Sequence, residues 1–454
     1  MTLPFVLHDP LLLTHGWLPV LVQVLAAVAL VTAIGWRNRR WRTVWLPWSA
    51  LVGAALAAAT YGYIRSADLA DDTNPAPHTL WLWIALSGMA VGVLVSGWAS
   101  APWWRRCASV LAVPLSVLAA ALGLNLWTGY FPTAASVWTQ VTAGPLPDQT
   151  DQVTIAAMQK RHVLPPRGSV IAVDIPDTAS GFAHRREYVY LPPAWYESGP
   201  PPALPTVMMI GGDINTPADW MRAGGAINTI DRFAAAHHGY APVLVFVDPG
   251  GTFNNDTECV NGSRGNSANH LTEDVVPFIE SRYGVSANAA NWGVVGWSMG
   301  GTCALDLAVM HPDMFSAFED IAGDLVPNAG NRRQTIDRLF GGNAVAYASF
   351  DPTQVIARHG PYRDTAGWFD VNFTTSSAPP NEQTVAARTL CAQGRPAGID
   401  CAVVAQPGNH DWPFASQAFT AALPWLAGAL DTPDVPHVGL PVGVTPVAAV
   451  TAAG

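Results

Sequence analysis

The chain has 454 residues, of which 50% are hydrophobic and only 12% charged, with 19 Trp and a formal net charge of −10. That composition is unusual for a purely soluble protein, and the length leaves room for more than one folding unit. The acidic balance, with Lys160 the single lysine among 23 basic residues, argues against a nucleic-acid partner.

The apolar excess is concentrated before residue 130. Trp17–Trp36, Thr43–Ile64, Thr79–Ser100 and Ser109–Trp127 contain no Asp, Glu, Lys or Arg. Each is about 20 residues long, enough to cross a hydrocarbon core as a helix. The first lacks the basic leader of a signal peptide and is followed by three more spans. Residues 1–130 are thus expected to form a four-span transmembrane anchor in contact with membrane lipid. Strongly polar groups inside the spans are few, such as Gln23 and Asn125, so no ion or substrate pathway is marked. Gly88, Gly92 and Ser96 offer a small-residue face for helix packing.

Arg37, Arg39, Arg40 and Arg42 follow the first span, and Arg105 and Arg106 follow the third; Asp68, Asp71 and Asp72 lie in the loop between the second and third. Positive loops stay inside, so everything after about Tyr130 is expected outside the cytoplasm of a multi-pass protein. Cys259, Cys303, Cys391 and Cys401 would then lie where disulfides persist, and the preferred pairs are Cys259–Cys303 and Cys391–Cys401.

Residues 131–165, with Gly144-Pro145 and Pro165-Pro166 as breakers, read as a connector. Strands are expected at Ser169–Ile175, Arg186–Leu191, Thr206–Ile210, Pro242–Val247, Asn291–Val295, Ala317–Ile321, Ala366–Val371 and Cys401–Ala405. Helices are expected at Ala226–His237, Leu271–Tyr283, Gly301–Met310, from Glu382 onward and at Pro413–Leu430. Such alternation predicts an α/β domain over residues 166–430 with a mainly parallel sheet. Residues 431–454, rich in Pro, Val and Ala, read as a flexible tail.

Gly296-Trp297-Ser298-Met299-Gly300-Gly301 stands between a strand and a helix. This G-x-S-x-G in that context is a nucleophile elbow, which makes Ser298 the expected nucleophile. His410 follows it, in a loop between the last strand and the last helix, where a hydrolase base belongs. The acid is open between Glu382, at the start of a helix 28 residues before His410 (410 − 382), and Asp370, at a strand end; Asp411 fits less well. The oxyanion hole is expected from the backbone N–H of Met299 and from the turn Gly211-Gly212-Asp213, through Gly212 or Asp213. His237, His238, His311 and His359 have structural explanations, and no cluster has metal-ligand spacing. Neither a metal nor a cofactor is implied.

At these residues the chain resembles the esterase family of α/β-hydrolases that includes feruloyl and S-formylglutathione esterases and mycolyltransferases of actinobacterial envelopes. The resemblance covers roughly residues 166–430. It rests on Ile210–Asp213, Leu271–Pro277, Gly296–Gly301, Met310–Phe315 and His410–Trp412. It implies Ser298 as nucleophile and His410 as base, without placing the acid. The expectation is a membrane-anchored serine ester hydrolase or acyltransferase working through an acyl-enzyme on an ester substrate, lipid or glycan, of the cell envelope. The alternative is a catalytically idle envelope module that binds lipid or glycan. The sequence carries no indication of oligomeric state.

Overall fold

The computed structural model describes residues 11–14, 16–66, 76–142, 144–162, 164–375 and 379–441. The acidic loop residues Asp68, Asp71 and Asp72, and positions 442–454 of the expected tail, lie outside the described residues. The chain separates into two compact units, Met1–Gly144 and Pro145–Gly454.

The first unit contains helices α1 (Trp17–Ile34), α2 (Leu46–Ser66, entered through a π turn at Trp41–Trp45), α3 (His78–Gly97) and α4 (Trp103–Thr128), followed by the short α5 (Ala134–Val141). The first four are long and apolar enough to cross a membrane, and they coincide closely with the four expected spans. Glycines set how α2 and α3 meet. A Cβ on Gly53 would lie 2.2 Å from the Ala85 carbonyl, and one on Gly92 would lie 2.8 Å from Ser49 Cα. The Ser49 and Ser96 hydroxyls sit 3.3 Å apart at the same seam, so the small-residue face does pack helix on helix. Trp17, Val20, Val24, Val28 and Val31 of α1 point outward, as side chains facing lipid would. Asn125, one of the few strongly polar groups in the spans, both donates to and accepts from the Phe131 backbone, at 2.8 and 2.7 Å.

The second unit begins with β1 (Gln149–Thr150) and α6 (Gln152–Arg161). Together with α5 these occupy the stretch read as a connector. Local capping explains them: Thr133 forms a capping box with Ser136, and Asp151 accepts from Thr154 N.

The chain then continues through β2 (Ser169–Val173), β3 (Glu187–Leu191), β4 (Thr206–Ile210), α7 (Asp219–Arg222), α8 (Ala226–Ala236) and β5 (Val243–Phe246). A small hairpin, β6 (Asn261–Gly262) with β7 (Gly265–Asn266), precedes α9 (Ser267–Asn269), a π turn (His270–Val275) and α10 (Val276–Tyr283). Next come β8 (Trp292–Trp297), α11 (Met299–Met310), β9 (Ala317–Ile321), α12 (Arg332–Phe340), α13 (Ala344–Phe350) and α14 (Pro352–His359). The last elements are β10 (Ala366–Phe373), α15 (Glu382–Gly394), β11 (Asp400–Pro407) and α16 (Trp412–Ala429).

Nine strands form one sheet in the order β1-β2-β3-β5-β4-β8-β9-β10-β11. β3 runs antiparallel to both neighbours and every other pairing is parallel. Parallel strands need cover on both faces. Phe369 packs beside Phe318 and Leu390 in the main core, whereas its neighbour Trp368 meets Trp425 of α16 on the opposite face. This is the expected α/β-hydrolase architecture, preceded by the four apolar helices.

Carboxylates are buried beneath the carboxyl ends of these strands. Glu319, Asp320 and Asp370 are at most 2% exposed. Burial pushes Asp320 and Asp370 from an ordinary 3.8 up to about 7. Such groups hold protons in the folded state that the unfolded chain has already released, so their contribution to stability is complete below about pH 4 and is lost as pH rises through about 7. Asp370→Asn, which keeps an acceptor for Gln406, is expected to weaken this dependence. Melting temperatures from about pH 5 to about pH 8 check it: the variant should gain on the wild type as pH rises, and a constant difference would contradict the assignment.

Candidate active site

Strand β8 is buried along its whole length and ends at Trp297; α11 begins at Met299. Ser298 alone makes the turn, with φ 58° and ψ −122°, a conformation that costs a non-glycine residue on the order of 1–3 kcal/mol. Three glycines permit it. A Cβ on Gly296 would lie 1.7 Å from the Gly300 carbonyl, one on Gly300 2.5 Å from the Ile210 and Gly211 carbonyls, and one on Gly301 2.4 Å from Asp320 Oδ1. The Ser298 N–H donates to Ile321 O at 2.8 Å, and its carbonyl accepts from Gly301 N at 2.8 Å.

His410 arrives from the loop between β11 and α16. Its Nε2 lies 2.9 Å from Ser298 Oγ. The Trp297 ring stands 5.5 Å from the imidazole and 4.6 Å from Trp412, so aromatic packing fixes the loop that carries the histidine.

The candidate acids differ in their surroundings. Asp370 lies within β10, fully buried; its Oδ1 accepts from Gln406 Nε2 at 2.6 Å, and its Oδ2 has no hydrogen-bond partner. The structure therefore does not join Asp370 to His410. Asp411 is the N-cap of α16, accepting from Phe414 N at 3.0 Å, and burial raises its pKa. Glu382 is exposed in the first turn of α15. The residue before it, Asn381, donates to Asn372 O at 3.2 Å, and Asn372 Nδ2 reaches Gly408 O at 3.5 Å. These bonds tie the start of α15 to the His410 loop.

The oxyanion turn is also distinguished by its bonding. Gly212 sits against the nucleophile, where a Cβ would be 3.3 Å from Ser298 Cβ. Its N–H already donates to Asn215 Oδ1 at 2.9 Å. This removes Gly212 as a donor and leaves the Asp213 N–H as the candidate from this turn. Met299 opens α11, where N–H groups lack intrahelical partners. Asn215 is held in turn: its carbonyl accepts from Arg185 Nη2 at 2.7 Å, and Arg185 pairs with the buried Asp248 at 2.6 Å. Cys259–Cys303 anchors the loop after β5 to α11, and Cys391–Cys401 joins α15 to β11. Both are the preferred pairs.

A family model described as "Putative esterase" matches residues 183–426, more than half of the chain. The chain belongs to that family. The class of reaction is therefore carboxylic-ester hydrolysis. An uncharacterized protein of Corynebacterium glutamicum is 30% identical over 337 residues, 73% of this chain and 76% of the relative. Residues 145–454 make up 68% of the chain (310 of 454), so that likeness reaches into the helical unit. Among solved structures, a ferulic acid esterase is 18% identical, covering 58% of this chain and 99% of its own, with a TM-score of 0.46. An S-formylglutathione hydrolase from Agrobacterium tumefaciens is 17% identical, covering 57% and 99%, also with a TM-score of 0.46.

Within the esterase domain, Asn215, Arg185 and Asp248 were not singled out by sequence reasoning. The only sequence signal was the strand-end run Asp248-Pro249-Gly250-Gly251. Their bonds hold Asn215 against the candidate oxyanion turn. Asn215→Ala is expected to lower kcat on p-nitrophenyl acetate by about 10-fold to 100-fold, below the loss of a direct donor, with KM and melting temperature little changed. An unaltered kcat would show that the turn holds without this side chain.

Proposed function

We propose that the chain is a membrane-anchored serine esterase or acyltransferase that acts outside the cytoplasm through an acyl-enzyme. The observation that carries this reading is the 2.9 Å contact between His410 Nε2 and Ser298 Oγ on a strained elbow. His410 takes the hydroxyl proton as Ser298 attacks the ester carbonyl. The N–H groups of Met299 and Asp213 receive the oxyanion, and collapse expels the alcohol with the proton from His410. Water, or a hydroxyl of a second substrate, then repeats the sequence on the acyl-enzyme. Glu382 is the carboxylate assigned to the far nitrogen of His410, supported by the Asn381–Asn372–Gly408 link and by the other engagements of Asp370 and Asp411.

Esters of envelope lipid or glycan fit this placement. Four apolar helices long enough to cross a membrane would confine the enzyme there, two disulfides suit an oxidising compartment, and the arginine-rich loops after α1 and α3 would face inward. A reporter active only outside the cytoplasm should be active when fused after residue 130 and silent near Arg40. The reverse pattern would overturn the orientation.

A fluorophosphonate probe should label the full chain at Ser298. Ser298→Ala should abolish labelling and reduce p-nitrophenyl ester hydrolysis by on the order of 10⁴ to 10⁶. Glu382→Gln should lower kcat by about 10⁴ with much less effect on KM. Half of wild-type activity in Ser298→Ala would refute the nucleophile; the same result in Glu382→Gln would refute only the acid.

A further inference from the structure

Outside the serine site, one group of side chains among the described residues has the form of a metal centre. His184, Glu187 and His270 each bring a ligand atom to within 4.8 Å of the others. Glu187 and His270 are fully buried and the His184 side chain is 11% exposed. Glu187 Oε2 is buried without a hydrogen-bond partner and lies 3.6 Å from His184 Nδ1, while Glu187 Oε1 lies 3.1 Å from His270 Nε2. Zinc bonds of about 2.0–2.1 Å arranged tetrahedrally put ligand atoms about 3.3 Å apart. The 3.6 and 3.1 Å separations, one to each Glu187 oxygen, lie on either side of that value.

The outward nitrogens show the support that metal-bound imidazoles have. His184 Nε2 is 2.9 Å from Ile175 O, and His270 Nδ1 is 3.4 Å from Asp274 Oδ2. Asp274 is itself fixed by the N–H groups of Ala179 and Ser180 at 2.9 and 3.3 Å. A carbonyl or carboxylate behind each ring fixes the tautomer and turns the other nitrogen inward. With its proton on Nε2, His184 faces the Arg185 carbonyl, 2.8 Å away, through a bare Nδ1. Either a second ring proton or a bound cation satisfies that contact.

Charge leads to the same place. Glu187, Asp248 and Asp274 contribute three negative charges and Arg185 one positive, so neutral imidazoles leave a buried excess of two (3 − 1). Two added protons would balance it, but only as imidazoliums with ring centroids 4.2 Å apart, a close pair of like charges out of water. One divalent cation balances it without that repulsion.

We propose that His184, Glu187 and His270 bind a zinc ion, with the Arg185 carbonyl available as a fourth donor. Two imidazoles and a carboxylate are a zinc donor set, and with the Glu187 and His270 side chains fully buried the ion's role would be structural. It would brace Arg185, and through it Asn215 at the oxyanion turn. Linear spacing conceals the site, because His270 lies 83 residues beyond Glu187.

The full chain purified in detergent, without chelator, should carry about one zinc per molecule by inductively coupled plasma mass spectrometry. His270→Ala should lose it. Because that variant could also misfold, the wild type is stripped with a chelator and titrated with zinc chloride: melting temperature should fall on stripping and recover at one equivalent. Wild-type protein that holds no zinc and shows no such recovery, or that binds only calcium or magnesium, would overturn the proposal. Labelling by fluorophosphonate is read separately, so failure here leaves the serine assignment standing.

Discussion

The catalytic unit depends on how closely three pieces of backbone meet around Ser298. The end of β4, the start of α11 and the turn after β9 approach so tightly that residues 296, 300 and 301 have no room for a side chain. Within that constraint Ser298 must take φ 58°, and its hydroxyl stands clear of the strand. Strain of a few kcal/mol at one residue survives only where the surroundings outweigh it. Here they do: β8 is entirely buried and α11 is buried from Met299 through Val309. The Cys259–Cys303 bridge holds the same helix from outside the sheet.

Given the elbow, the other groups arrive from neighbouring strand ends. In a parallel sheet the carboxyl ends of successive strands lie along one edge, and ligand sites form there. β4 delivers the Gly211–Asp213 turn, β10 leads to α15, and β11 leads to His410. The polar residues beneath this edge are specialised differently. Asp320 receives the Gly323 N–H, and Asp370 is linked through Gln406 to Gln417. Burial raises the pKa of both carboxyls, which suits hydrogen bonding inside the sheet better than charge stabilisation of an imidazolium. The proposed acid, Glu382, stands instead beyond the strand end, in the first turn of α15.

Much of this was legible in the chain. Apolar runs located the sheet strands from β2 onward, apart from small hairpin strands, and glycine spacing located the elbow, because both reflect steric rules that act within a few residues. Longer-range features were not. α12, α13 and α14 are 9, 7 and 8 residues long, with Gly341-Gly342 after the first and Asp351 between the last two, too short for a periodic signal. Gly212 could not be distinguished from Asp213 as an oxyanion donor without the Asn215 side chain. Asp370 resembled a strand-end acid until the strand proved to continue to Phe373. The His184–Glu187–His270 group is assembled by the pairing of β3 with its neighbours and by the π turn before α10, and no local pattern announces it.

The two units expose and bury apolar side chains in different ways. In the helical unit many large apolar side chains, such as Trp17, Val20, Val28 and Val31, are exposed, while Gly53, Gly92 and Ser49 bring α2 and α3 into close backbone packing, a pattern compatible with lipid. In the esterase unit Trp220, Trp292 and Trp412 are fully buried, and cohesion comes from taking apolar surface out of water.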